Sequence, residues 1–375
     1  MSQKNIQLFV PSFDVDACLS EIRVCLESGW TGIGFKTVEF EKKFSDFIEQ
    51  PYCHFLNSST NGIHLVMELL KKTRHWADGD EVISTALTFV SANHSILHAG
   101  LEPVFADVDE SLCMTAAEVE KKITPKTRAV MFVAIGGNVG EMIEIAALCK
   151  ARGLVMILDA AHSAGSRLNG KDLSAYADYT IFSFQAVKNL PTADSGLITL
   201  QTEAENQLAR QLSWCGINKD TYSRSQDGYK WLYSVDDAGY KYNGNSIMAA
   251  MALVQLRSLD AGNVRRRELA AMYRDGLDGI EGLHFVAHAN DDESSRHLIQ
   301  FILDERNQLI EYLGQNGIGA GVHYRSNTNY PMYAKNRTPN ADSLGERIIS
   351  LPCHLKMTND DVDYVINHIK TFFKR

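Results

Sequence analysis

The stretch ADYTIFSFQAVKNLPTADSG, residues 177–196, sets one lysine, Lys188, between a short run of β-forming residues and a proline. Thr180, Ile181, Phe182 and Phe184 favour an extended strand. Most lysines are solvated surface charges. A lysine that closes a buried strand differs, because desolvation lowers its pKa and makes the neutral amine a usable nucleophile. Which kind Lys188 is depends on what the remaining chain builds around it.

Outward from this strand, short apolar or β-branched runs alternate with amphipathic stretches. EVISTA, PVFADVD, RAVMFVA, LVMILDAA, TIFSFQ and LITLQ read as buried strands, while SANHSILHAG, AAEVEKKI and MIEIAALCKARG carry helical spacing. Such alternation implies right-handed crossovers and a mostly parallel sheet covered on both faces, with ligands at the carboxyl ends of its strands. From about residue 245 the pattern changes. SIMAAMALVQLRSLDAGNVRRRELAAMYRDGL reads as two long helices, HFVAH, HLIQFIL and GVHYR as a smaller sheet, and DDVDYVINHIKTFF as a closing helix. The expected fold class is therefore α/β, with a large domain over residues 1–250 and a smaller α+β domain over 251–375.

Composition limits the function. The 375 residues are 45% hydrophobic and 22% charged with only eight prolines, which describes a globular chain. A net charge of −9 and a pI near 5.7 argue against nucleic acid as a partner. The opening MSQKNIQLFVPSFDVD has no secretory apolar region, and no run of eighteen apolar residues suggests a membrane span, so a cytoplasmic location is expected. Seven cysteines are scattered without a C-x-x-C pair, as reduced core thiols would be. His94 and His98 lack carboxylate or cysteine companions, and no H-E-x-x-H occurs, so no metal is expected.

Three further places bear on Lys188. In NSSTNGIHLVMELLKK, Ser58, Ser59 and Thr60 open a helix, where free N–H groups and hydroxyls suit a phosphate; an ordinary N-cap would look the same. In LVMILDAAHSAGS, Asp159 ends an apolar strand and can hold a heteroaromatic nitrogen protonated, or simply cap the next helix. His162 lies three residues later, near enough to share a ligand or to be an interior histidine. In ALTFVSANHS, Phe89 begins a helix and is either core or a face-on partner for a flat ring. A phosphate cradle, an aromatic face, an acid for a ring nitrogen and a lysine for an aldehyde together describe one ligand, pyridoxal 5′-phosphate (PLP).

The chain resembles the DegT/DnrJ/EryC1/StrS family of PLP-dependent sugar aminotransferases, nearly end to end. GWTGIGFKTVEFEKKF, NSSTNGIHL, DEVISTALTFVSANHSILHAGLEPVFADVD, LDAAHSAGS, SFQAVKNL, GYKYNGNSIMAAMALVQL, VHY and SLPCH follow the family's motifs in order. The resemblance implies the fold-type-I architecture, with a seven-stranded-type sheet in the large domain. It implies Lys188 as the Schiff-base lysine, Asp159 at the pyridine nitrogen, His162 at the phenolic oxygen, Phe89 on the ring, and Ser59, Thr60 and Ser183 on the phosphate. It further implies a homodimer, with Lys241 reaching a phosphate across the interface, where Lys241 and Asn243 stand for the common Asn and Arg. The implied reaction moves an amino group from L-glutamate through pyridoxamine 5′-phosphate to C3 or C4 of a nucleotide-linked ketosugar, as in O-antigen-type polysaccharide synthesis. Sugar contacts would lie in 29–35, 214–231 and 322–330, with His323 and Arg325 as polar candidates. Ser59 replaces a usual glycine, and ADSG (193–196) stands where many members have G-E-G-G.

Two other outcomes stay open at this point. A dehydratase or lyase on the same fold would use the same cofactor; relatives that lose the lysine become dehydratases, and this chain keeps Lys188. A dinucleotide-binding oxidoreductase is suggested only by Gly136, Gly137 and Gly140, which do not form G-x-G-x-x-G.

Overall fold

The computed structural model describes residues 4–225 and 231–375. Two helices come first, α1 (Val15–Ser28) and α2 (Phe35–Ile48). The Asp14 carboxylate caps α1 by accepting from Ala17 N, and Gly29 ends it in the left-handed conformation at φ 76°. The chain then alternates through β1 (Tyr52–Leu56), α3 (Ser59–Arg74), β2 (Glu81–Thr85), α4 (Val90–His98), β3 (Glu102–Ala106), α5 (Ala116–Glu120), β4 (Thr127–Val133), α6 (Met142–Arg152) and β5 (Val155–Asp159). A short hairpin of β6 (Arg167–Leu168) and β7 (Lys171–Asp172) precedes β8 (Tyr179–Ser183), β9 (Gly196–Leu200) and α7 (Glu203–Ser213).

Seven of these strands form one sheet in the order β1-β9-β8-β5-β4-β2-β3. The pairs from β8 to β3 run parallel, whereas β9 pairs antiparallel with both β8 and β1. Six of the seven strands match the sequence pattern. The seventh, β1, escapes it because its YCHFL carries a histidine at an inward position. That His54 is buried and satisfied by the Glu41 carboxylate at 3.1 Å and the Ser213 hydroxyl at 2.7 Å.

Alternate residues on each strand face opposite layers. Leu158 and Phe182 join Phe40, Phe44, Phe55 and Phe184 on one face, while Ile157 and Ile181 join Leu65, Val66 and Met131 on the other. Phe44 lies edge-on to Phe182 at 5.1 Å and to Phe184 at 5.3 Å. The end of β8, and the loop after it, is therefore held by packed aromatic rings.

After α8 (Thr221–Ser225) come the two long helices α9 (Ser246–Leu256) and α10 (Leu259–Leu277), then β10 (His284–Phe285), β11 (Ile299–Ile302), α11 (Arg306–Gln315), α12 (Pro339–Arg347), β12 (Ile348–Leu351) and α13 (Asn359–Phe373). An antiparallel sheet β10-β11-β12 packs with α10, α11 and α13 around a third core that includes Tyr273, Phe301, Leu313 and Val365. The expected strand GVHYR does not form: only Gly321 makes a bridge, to Ser350, and the third strand is Ile348–Leu351. His323 and Tyr324 instead line the cavity beside Lys188. Among the described residues, no helix is long and apolar enough to cross a membrane. The seven cysteines are all free thiols.

Candidate active site

Lys188 sits on a closed loop between β8 and β9. The loop is tied by Phe184 N to Ser195 O at 2.8 Å, Ala186 N to Ala193 O at 3.1 Å, and Lys188 N to Gln185 O at 2.8 Å. Its neighbour Asn189 anchors it from below, donating to Asn263 Oδ1 and Ser295 O, both at 2.8 Å. The surface Lys188 retains faces a cavity of about 410 Å³. Burial lowers its amine from the usual lysine range to about 8, with the nearby Asp159 charge acting in the opposite direction.

That cavity brings together Ser59, Thr60, Phe89, Asp159, His162, Ser183, Lys188 and His323. Two candidates fall outside its lining. Lys241 is exposed and holds its Nζ 3.0 Å from the centre of the Trp214 ring. Arg325 lies over the Tyr330 ring at 5.8 Å. In the candidate sugar-contact segment 214–231, residues 226–230 lie outside the described residues.

Asp159 ends β5 at 7% exposure, and its Oδ1 accepts from Ala161 N at 3.0 Å. Burial raises its pKa above the ordinary carboxyl value, while the Ala161 N–H and the Lys188 charge hold it down in part. A buried carboxyl with a free lone pair is suited to a cationic N–H donor.

The tautomer of His162 is set by its partners. The Gly136 N–H can only donate, and it points at His162 Nδ1 from 3.1 Å. The ring proton of neutral His162 therefore sits on Nε2, which donates to Tyr324 Oη at 3.1 Å. Burial drives His162 and His297 well below the ordinary histidine range and His323 down to about 4, each helped by the Lys188 charge. All three imidazoles are neutral at pH 7.

The glycines that suggest a dinucleotide loop serve these histidines. Gly136 donates to His162 Nδ1 and accepts from His297 N at 3.0 Å, and a Cβ on Gly137 would stand 2.3 Å from Ser295 Oγ.

At the other end of the cavity, α3 begins. The Ser58 hydroxyl is its N-cap, accepting from Asn61 N at 3.2 Å. The N–H groups of Ser59 and Thr60 belong to the first turn, which has no intrahelical acceptors, and the positive end of the helix dipole lies there. The β8–β9 register sets Ser183 opposite Gly196. A Cβ on Gly196 would stand 2.6 Å from Ser59 N, so only glycine lets β9 close against this turn. Phe89 is 57% exposed although it lines the cavity, leaving an aromatic face for a flat ligand. The amine, the buried carboxyl, the N–H cradle and the aromatic face fit PLP.

Phe9, His297 and Tyr324 also line the cavity, and the sequence reading does not mark them as site residues. The Phe9 ring stacks on His297 at 5.7 Å, and His162 lies 4.4 Å from His297. Tyr324 adjoins His323 in the motif VHY and is within reach of a sequence reading; Phe9 carries no local signal.

The model of the DegT/DnrJ/EryC1/StrS aminotransferase family matches residues 14–370. The spore coat polysaccharide biosynthesis protein SpsC of Bacillus subtilis is 34% identical over 370 residues, covering 95% of this chain and 94% of that protein. Among solved structures, Spr1654 of Streptococcus pneumoniae in its PMP form is 31% identical at a TM-score of 0.89, covering 99% of both chains. It has also been solved in a PLP form. The sugar aminotransferase CalS13 of Micromonospora echinospora is 28% identical at a TM-score of 0.89, covering 98% of this chain and 99% of that one.

Proposed function

We propose, from the premise that this chain belongs to the DegT/DnrJ/EryC1/StrS aminotransferase family and is a PLP-dependent sugar aminotransferase, that it moves an amino group from L-glutamate to C3 or C4 of a nucleotide-linked keto-6-deoxysugar. The observation that carries this reading is the convergence of Lys188, Asp159 and the first turn of α3 on one cavity. The role of SpsC in spore coat polysaccharide biosynthesis supports a sugar product destined for a polysaccharide. We read the enzyme as a cytoplasmic homodimer of two-domain subunits, residues 1–250 and 251–375; the third core, separate from the two flanking the large sheet, supports that division.

When bound, PLP supplies an aldehyde that takes up amines and a ring that accepts the electrons of a carbon acid. Lys188 would hold the cofactor through that aldehyde, with loss of water, and, displaced by the incoming amino donor, its amine, lowered by burial, would be free to take a proton from the donor α-carbon. The same amine would carry that proton to the cofactor, and would run the transfer in reverse for the sugar. Asp159 holds a proton on the ring nitrogen. His162 would contact the phenolic oxygen through its one N–H, which here meets Tyr324 Oη. Phe89 covers one ring face, and Ser59, Thr60 and Ser183 bind the phosphate with the α3 N–H groups. Lys241 of a second copy completes that end, a role its exposed position permits. His323 is the polar contact toward the sugar from inside the cavity, and Arg325 the one from outside it.

The test is the visible spectrum of the PLP-loaded protein and of Lys188→Ala, before and after L-glutamate. A band present only in the wild type and converted by L-glutamate supports the reading. The same band in Lys188→Ala removes Lys188 from its role. Mass analysis of products from a panel of nucleotide ketosugars then separates amination at C3 or C4 from loss of water, the outcome of a dehydratase.

A further inference from the structure

His297 lines the cavity beside Lys188 and serves no step of the reaction described above. It is buried, and two other rings hold its own: Phe9 stacks on it at 5.7 Å and 12°, and His162 lies 4.4 Å away. Its Nδ1 is 2.8 Å from Oδ1 of Asn189, the residue next to Lys188. Backbone carbonyls decide which atom of this pair carries the hydrogen. The Asn189 amide is oriented by its Nδ2, which donates to Ser295 O, a carbonyl that can only accept, and to Asn263 Oδ1. Asn263 is oriented in turn by Ala164 O, to which its own Nδ2 donates at 3.0 Å. Asn189 Oδ1 has no hydrogen to give, so the proton of neutral His297 sits on Nδ1. This tautomer is the opposite of that of His162, whose proton is on Nε2.

The same bonds join the two loops that carry the reacting groups. Asn189 belongs to the β8–β9 loop with Lys188, while His162 and Ala164 belong to the segment after β5, which Asp159 ends. Asn263, on α10, bridges Asn189 and Ala164 O. Ser295 bridges Asn189 and His162: its carbonyl accepts from Asn189 Nδ2, and its hydroxyl donates to His162 O at 2.7 Å. Asn189, Asn263, Ser295 and His297 are all buried, and a satisfied buried network of this kind fixes the geometry of what it joins. Removing one member leaves a buried polar atom of another without its partner. Of these four residues only His297 also lines the cavity of Lys188.

We propose that His297 is a positioning residue for Lys188: its Nδ1–H, held on Asn189, sets the lysine loop at the spacing from Asp159 and His162 that proton transfer needs. The inference rests on the aminotransferase reading above for the role of the Lys188 amine; the placement of the proton on Nδ1 does not depend on it.

The experiment compares variants that differ in where they offer an N–H. His297→Asn places its amide near the Nδ1 position of the imidazole, His297→Gln near the Nε2 position, and His297→Leu has no donor. In the PLP-loaded enzyme, conversion by L-glutamate, counted per bound PLP, should slow about 10- to 100-fold in His297→Leu and His297→Gln, the scale of a displaced reacting group. His297→Asn should keep most of the rate, and the KM for L-glutamate should stay near that of wild type in all three. Uptake of PLP by the apoprotein should slow in the same order. In the wild type, isotope-labelled histidine reports the tautomer by long-range proton–nitrogen correlation, with His297 identified as the signal lost in the variants. A proton on Nδ1 is expected. A proton on Nε2, equal rates in His297→Asn and His297→Gln, or a normal rate in His297→Leu would each overturn the assignment. If His297→Leu does not fold, the other two variants and the tautomer still decide. If L-glutamate leaves the wild-type spectrum unchanged while PLP uptake is faster in His297→Asn than in His297→Gln, the positioning role stands and the donor reaction falls.

Discussion

Gly196 lies directly against the backbone of Ser59, so that a Cβ on residue 196 would stand 2.6 Å from Ser59 N, 2.6 Å from Ser58 C and 2.9 Å from Phe182 O. All three atoms are main chain, and no rotamer change relieves the clash. Gly196→Ala is expected to lower stability by about 1–3 kcal/mol through overpacking. It should also weaken PLP binding about 10-fold or more by pushing the α3 turn away from the phosphate. A PLP titration beside urea unfolding checks both, and an unchanged affinity at an unchanged midpoint would show that this contact does not shape the cradle.

The lowered amine of Lys188 makes cofactor capture depend on pH. The rate at which apoprotein takes up PLP should rise through about pH 8, more than two units below an ordinary lysine. Asp159 raises that value by its charge, so Asp159→Asn should move the inflection lower. Stopped-flow absorbance across pH 6.5–9.5 measures it; an inflection near 10 in the wild type contradicts the buried setting.

Asp159→Asn keeps an acceptor for Ala161 N and removes only the charge. The fold should persist, while the rate of conversion by L-glutamate falls about 100-fold or more, the scale of losing a preorganised electrostatic partner. Normal turnover in this variant would mean that the ring nitrogen is held elsewhere.

Acid should unfold the apoprotein through its histidines. His162, His288 and His297 lie well below the ordinary value and His323 at about 4, so below pH 6.5 the unfolded chain binds protons that the folded one does not. Stability is then lost as pH falls from 6.5 toward 4. The raised carboxyls of Asp159 and of Asp172, the latter at about 6, act oppositely and offset part of it. The net slope should be at least about 2 kcal/mol per pH unit. Urea midpoints at pH 7, 6 and 5 measure it, and His288→Gln, away from the cavity, should flatten it. A flat profile rules out neutral burial of the group.

The sequence made the scaffold legible where burial is simple. EVISTA, RAVMFVA and TIFSFQ are strands with apolar residues toward two covered layers, and nothing competes with that pattern. It failed at His54, whose burial rests on Glu41 and Ser213, residues distant in sequence. It failed at GVHYR as well, where the run is β-branched and aromatic yet spends His323 and Tyr324 on the cavity instead of a ladder. Asp159 and the α3 turn were recognisable because each ends or opens an element at the ligand edge, and Lys188 because it follows β8 in the loop at that edge. His297 carried no signal, because its partner Asn189 lies on a distant segment.

The cavity is closed by residues from remote parts of the chain. Asn327 Nδ2 donates to Thr88 O across 239 positions, and Tyr324 meets His162 across 162. During synthesis the α3 turn and Asp159 therefore emerge long before the residues that wall them in. A ribosome-bound chain stopped before residue 323 should hold its sheet with this pocket open to solvent. Competence to retain the cofactor then arrives late in translation, as one event, when the residues from 323 onward fold back over Thr88 and His162.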